Sequence, residues 1–120
     1  MPGLNMVQNL CGWGRVPRAD VQIGIPRTET DARAQIRAVS ATGMMSGGLI
    51  SGGLIPRGLG RAYGDSALAP EACLTTSLNH VMAFDVEQGV LHAQAGMGLG
   101  EVLALSVPHG WFLPVSPGTQ

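Results

Sequence analysis

The chain has 120 residues and a formal net charge of −1; its seven basic residues are all arginine, and there is no lysine. That length suits one small domain or part of a larger one, and without a basic cluster to follow a phosphate backbone a nucleic-acid partner is not expected. Hydrophobic residues make up 45% and charged residues only 12%, a charge content low enough that part of the surface should be covered by a ligand or by more protein.

Residues 1–14 carry neither a basic n-region nor a long apolar run, so they do not read as a secretory signal. No apolar stretch approaches the roughly 20 residues of a membrane-spanning helix, and a cytoplasmic protein is the expectation. Residues 10–15, Leu-Cys-Gly-Trp-Gly-Arg, form an apolar segment broken by turns. Cys11 and Cys73 have no partner spacing for a disulfide framework or a metal and read as small buried hydrophobes. In residues 19–26, Val21, Ile23 and Ile25 alternate with Gln22 and Gly24, a half-buried strand ended by Pro26. A helix follows, capped by Thr28 or Thr30 with Glu29 and Asp31 in its first turn. Ala32, Ile36, Val39 and Ala41 give its apolar face, Arg33 and Arg37 lie on another face, and Gly43 stops it.

Residues 46–50 and 51–55 both read Ser-Gly-Gly-Leu-Ile. This tandem duplication is too short for a repeat architecture. The first copy reads as flexible loop, and the second supplies Leu54 and Ile55 to a short buried strand running into Pro56. The next strand is expected at residues 73–78, followed by a hairpin over residues 81–96 that turns at Glu87-Gln88-Gly89. Residues 96–100, Gly-Met-Gly-Leu-Gly, open a second helix over residues 99–107 that Pro108 and Gly110 stop. Residues 111–115 form a last short apolar segment. A βαβ unit followed by an antiparallel part is α+β rather than a doubly wound sheet.

Most of the chemistry lies in residues 57–65, Arg-Gly-Leu-Gly-Arg-Ala-Tyr-Gly-Asp. Gly58, Gly60 and Gly64 leave backbone N–H groups unshielded, and successive amides in such a turn form a nest for anions. Arg57 and Arg61 can add charge-assisted hydrogen bonds to phosphate oxygens. The segment is not a P-loop, since no Gly-Lys-Ser/Thr ends it. Nor is it a good dinucleotide fingerprint, because Tyr63 stands where a third glycine belongs. Spacing alone leaves two readings open: a pyrophosphate clamp, or a sharp surface turn with both arginines in solvent. In the cluster at residues 96–100, Glu101 in the first helical turn would repel phosphate, so an ordinary strand-to-helix turn is expected there. His80, His92 and His109 have no ligand spacing, and no metal site is expected.

Three segments in order, Gly12-Trp-Gly-Arg15, Arg57 through Asp65, and Val115-Ser-Pro-Gly-Thr119, together resemble the FAD-binding domain of vanillyl-alcohol-oxidase-type flavoproteins, the PCMH-type domain. The resemblance is nearest to the decaprenylphosphoryl-β-D-ribose 2′-oxidase branch, with sugar-lactone and alditol oxidases as cousins. It covers nearly the whole chain except the duplication, and the nine-residue loop is its specific part. It implies the first βαβ subdomain of such a domain in residues 1–80, the start of a second subdomain in residues 81–120, and a separate substrate domain that is absent. It further implies that Pro56, Arg57, Gly58, Leu59, Gly60, Arg61, Ala62, Tyr63, Gly64, Asp65 and Ser66, with Gly118, line FAD, and that Tyr63 lies near the isoalloxazine ring.

Two departures from the family pattern matter. Arg61 stands where lactone and alditol oxidases often carry a histidine bonded to the flavin, so FAD should be held non-covalently. Ala62 replaces the usual serine, which removes one hydroxyl donor and weakens binding by about 1 kcal/mol. The implied activity of the parent protein is hydride transfer from a sugar or polyol-type alcohol to flavin N5, with no catalytic base identified in this chain. The 120-residue chain by itself is expected to be inactive, and to aggregate through unpaired strand edges and apolar faces. The alternative is a non-catalytic, truncated nucleotide-binding module.

Overall fold

The computed structural model describes residues 6–42 and 53–118. The first copy of the duplicated pentapeptide, the Gly43 helix stop and Thr119 lie outside the described residues. A four-stranded sheet has the order β1-β2-β4-β3, with β1 at Met6–Cys11, β2 at Arg18–Gly24, β3 at Leu54–Arg57 and β4 at Glu71–Leu74. β1 runs antiparallel to β2, while β4 lies parallel to both β2 and β3. A separate antiparallel hairpin joins β5 at Val81–Asp85 to β6 at Val90–Ala93. Helix α1 spans Glu29–Thr42 and α2 spans Leu99–Ser106. The architecture is α+β, a βαβ unit followed by an antiparallel part, as the element order implies.

Strand β1 is an addition to the sequence reading. Its residues do not alternate, so periodicity gives no signal; cross-strand bonding supplies what the pattern lacks. Asn9 lies opposite Asp20, and its side-chain amide donates to Asp20 Oδ1 at 2.8 Å. Arg18 donates through Nε to Asn9 Oδ1 at 2.5 Å and through Nη2 to the Asn9 carbonyl at 3.1 Å.

Thr28 is the residue that caps α1. The Asp31 amide donates to Thr28 Oγ1, and Asp31 Oδ2 accepts from the amides of Thr28 and Arg27, a reciprocal cap in which aspartate plays the part more often taken by glutamate. Ala32 and Val39 of the expected apolar face are half-buried, but the face differs from the expected one at Ile36. Ile36 is 53% exposed, and Gln35 reaches inward instead, donating from Nε2 to the Ala72 carbonyl in β4 at 3.3 Å. Gly24 makes room for it, since a Cβ there would meet the Gln35 side-chain amide at 2.5–2.6 Å.

Strand β4 begins and ends earlier than residues 73–78. After Leu74 the chain enters a 3-10 turn at Thr75–Ser77, closed by the Leu78 amide donating to the Thr75 carbonyl. The Thr75 hydroxyl donates to the Arg57 carbonyl at 3.3 Å, tying that turn to the end of β3. Helix α2 passes into a second 3-10 turn at Val107–His109 and stops at Gly110, whose φ is +83°.

The core is small: Val21 and Ile23 from β2, Ala72 from β4 and Leu68 from the loop between β3 and β4, with Leu10, Ala19, Ile25, Ile55 and Leu74 packed around them. Val21 and Ile23 are fully buried and, two residues apart, project from the same face of β2. With so few side chains sharing the load, Ile23→Ala should lower unfolding stability by about 2–5 kcal/mol, measured by urea denaturation of the whole chain.

Candidate functional site

Strands β3 and β4 are parallel neighbours, so the chain leaving β3 must travel back along the sheet before β4 can begin. Residues 58–70 make that return without a helix. Each end of the loop is anchored. At its start, Arg57 is buried at 9% exposure, and at its far end Leu68 and Ala69 are buried at 4% and 5%, Leu68 within the core cluster. Between them the Ser66 amide donates to the Tyr63 carbonyl and the Leu68 amide to the Asp65 carbonyl, which folds residues 63–68 into successive turns.

The Arg57 guanidinium lies under the loop. Nη1 donates to the Ala67 carbonyl at 2.8 Å and Nη2 to the Cys11 carbonyl at 2.6 Å. Gly60, at φ +70°, passes over the guanidinium so closely that a Cβ there would overlap it. No carboxylate pairs with this arginine among the described residues; backbone carbonyl dipoles alone face its charge. A buried cation of this kind favours an anion close by.

The segment 12–15 also docks on the loop. The Trp13 amide donates to the Ala62 carbonyl at 2.9 Å, and the Trp13 and Tyr63 rings meet edge to face with centroids 5.5 Å apart. Two of the three segments that carry the family resemblance are therefore in contact. Both rings stay open to solvent, Trp13 at 53% and Tyr63 at 71%.

The loop amides have few partners inside the protein. Among the described residues, none of the amides of residues 59–65 donates a hydrogen bond to another residue. Arg61 is exposed beside them. Gly58 has open space where its Cβ would be and a φ outside the left-handed region, so nothing inside the fold requires glycine there. Amides without a protein acceptor beside an exposed arginine have the chemistry to receive an anion. In the third resembling segment Gly118 is exposed in the coil after α2, and no hydrogen bond among the described residues joins it to the loop.

The second glycine cluster behaves as expected. Glu101 Oε2 accepts from the Gly98 amide at 2.7 Å, and its Oε1 accepts from Asn79 Nδ2 at 2.9 Å. The carboxylate thus fills the N-terminus of α2. Among the described residues no group of histidine, cysteine and carboxylate side chains could hold a metal. Cys73 is buried, and desolvation pushes its thiol up from the ordinary value.

Sequence reasoning missed the inward-facing role of Arg57 and the anchoring role of Leu68 and Ala69. Arginine beside a glycine turn carries no signal for which way it faces. The apolar Ala-Leu-Ala run at 67–69 is the one feature that could have marked the loop's return to the core.

Comparison with known proteins identifies the ligand. A family profile described as an FAD binding domain matches residues 22–120, which takes in the loop and all elements from the middle of β2 onward. A curated protein, the decaprenylphosphoryl-beta-D-ribose oxidase of Mycolicibacterium smegmatis, is 30% identical over 115 residues, which is 94% of this chain and 24% of that protein. The chain thus spans about a quarter of that relative's length. The chain belongs to the FAD binding domain family, and FAD is its cofactor. The free amides of residues 59–65 and the exposed Arg61 suit the cofactor's pyrophosphate. Among the described residues no helix is long and apolar enough to cross a membrane.

The Gly98 amide first, and the Asn79 side chain second, hold the Glu101 carboxyl below its usual value. A depressed folded-state pKa contributes stability above the unfolded value and loses it as pH falls through the folded one. Glu101→Gln should therefore lower the melting temperature at neutral pH and flatten its decline below about pH 4.3, the usual glutamate value. Thermal melts of both proteins across acid pH would show this.

Proposed function

We propose that residues 56–66 hold the pyrophosphate of FAD, and that the chain is part of an FAD-dependent oxidoreductase acting on a CH–OH group. The observation that carries this reading is the run of amides at residues 59–65 that have no acceptor among the described residues, in a loop anchored by Arg57. In this reading the amides bind the phosphate oxygens, and Arg61 adds a charge-assisted hydrogen bond from the rim. Pro56 and Arg57 form the floor of the cradle, while Leu59, Ala62, Asp65 and Ser66 line it. Tyr63, braced edge-on by Trp13, lies toward the flavin ring. Gly118 belongs to a more distant part of the same site.

When bound, FAD supplies the two-electron acceptor for the oxidation. The chain's own part is to bind and orient it. The substrate we propose is a sugar or polyol-type alcohol, in keeping with a relative whose name is that of a ribose-derivative oxidase. We also propose that residues 1–80 make the first subdomain of the FAD-binding unit and residues 81–120 the start of a second, a division supported by the separate sheets.

Gly58 offers a direct test, because a side chain there disturbs only what approaches from outside. Gly58→Val should leave the melting temperature of the flavin-free chain unchanged and weaken FAD binding by at least about tenfold, or about 1.4 kcal/mol, with riboflavin binding little affected. Equal FAD affinity in fluorescence titrations would remove the loop from the site.

Arg61 has no nucleophilic position to offer the flavin at neutral pH, its guanidinium being always protonated. We expect acid precipitation of the FAD-loaded protein to leave all the flavin in the supernatant. Yellow, flavin-bearing protein in the pellet after washing in denaturant would show a covalent bond.

A further inference from the structure

Arg57 stands beside the proposed phosphate site, and as an arginine next to a glycine nest it looks like a phosphate ligand. Its placement assigns it another task. The guanidinium is buried, and both of its terminal nitrogens donate to backbone carbonyls, one to Ala67 at the loop's return and the other to Cys11 at the end of β1. Those carbonyls belong to segments 10 and 46 residues away in sequence. The Cys11 carbonyl lies one residue before the turn whose Trp13 amide holds Ala62. The same side chain thus fixes where the loop returns and where the 12–15 segment begins. Gly60 crosses directly over the guanidinium, at a distance that only a residue without Cβ allows.

We infer that Arg57 is a positioning residue, an internal clamp that sets the shape of the FAD-binding loop from beneath without touching the cofactor. Gly60 is glycine because the guanidinium occupies the space its side chain would need. Only an arginine can do this. A planar fork reaches two carbonyls of different segments through two separate nitrogens, whereas the donors of lysine all radiate from a single nitrogen that cannot span the same two positions. The effect on FAD rests on the cradle reading above; the clamp itself does not.

The test uses the whole chain as wild type, Arg57→Lys, Arg57→Gln, Gly60→Ala and the double variant Arg57→Gln/Gly60→Ala. Trypsin cleavage after Arg61 in the absence of flavin reports whether the loop is held. Dissociation constants for FAD and for riboflavin report whether the held shape matters to the pyrophosphate. Each single variant should speed cleavage after Arg61 by about fivefold or more, with cleavage after Arg33 and Arg37 in α1 unchanged, since only the loop is released. FAD affinity should fall by about tenfold or more in each, with riboflavin affinity unchanged and no rescue by lysine. The double variant should bind FAD no worse than the weaker single one, because both changes break one contact.

Three results would overturn the clamp. Cleavage after Arg61 could stay at the wild-type rate in both Arg57 variants. Arg57→Lys could restore FAD affinity, which would make the residue a phosphate ligand. All variants could speed cleavage at every arginine alike, which would make the role one of global stability. Should the wild type itself fail to bind FAD while the cleavage pattern appears as expected, the clamp would stand and the cradle reading would fall.

Discussion

Everything distinctive in this chain follows from β4 inserting between β2 and β3 in the same direction as both. Parallel neighbours cannot be joined by a tight turn. Between β2 and β3 the chain uses a helix for the return. Between β3 and β4 it uses an irregular loop, and a loop of this length inside a compact domain is commonly functional. The sheet therefore forces a long stretch of backbone to return beside it before β4 can begin.

Such a loop would be costly to order if its ends were its only restraints. Here it is held along its length by different kinds of contact. Leu68 and Ala69 sink into apolar surroundings, Arg57 grips carbonyls from below, and the Trp13 amide holds Ala62 from the side. None of these contacts consumes the amides of residues 59–65. Those amides have no acceptor among the described residues, while the protein supplies the order of the loop. Preorganised amides of this kind bind an anion without first having to be assembled.

Much of this was legible in the sequence. The alternation of Val21, Ile23 and Ile25 gave β2, a cap at Thr28 or Thr30 gave the start of α1, and the turn at Glu87-Gln88-Gly89 gave the hairpin. Each signal is local and periodic, so no knowledge of neighbours is needed to read it. The glycine spacing located the loop, and Glu101 falls in the first turn of α2 as read, where it accepts from the Gly98 amide. What was not legible depends on contacts distant in sequence. β1 has no alternation and exists through its bonds to β2. Gln35 replaces Ile36 on the inner face of α1 because a carbonyl in β4 and a glycine in β2 make a place for an amide. Arg57 reads from sequence as one of two equivalent flanking cations; burial separates it from Arg61, and burial is a property of the fold.

The central claim is that the open amides of residues 59–65 receive the pyrophosphate of FAD. The most direct measurement is an amide chemical-shift titration of the isotopically labelled chain with FAD, ADP and riboflavin. The expected result is that FAD and ADP move the amides of Gly60, Arg61 and Gly64 together and saturably, while riboflavin leaves them in place. FAD binding that leaves those amides unmoved, or that moves the amides of Gly96, Gly98 and Gly100 in their stead, would contradict it.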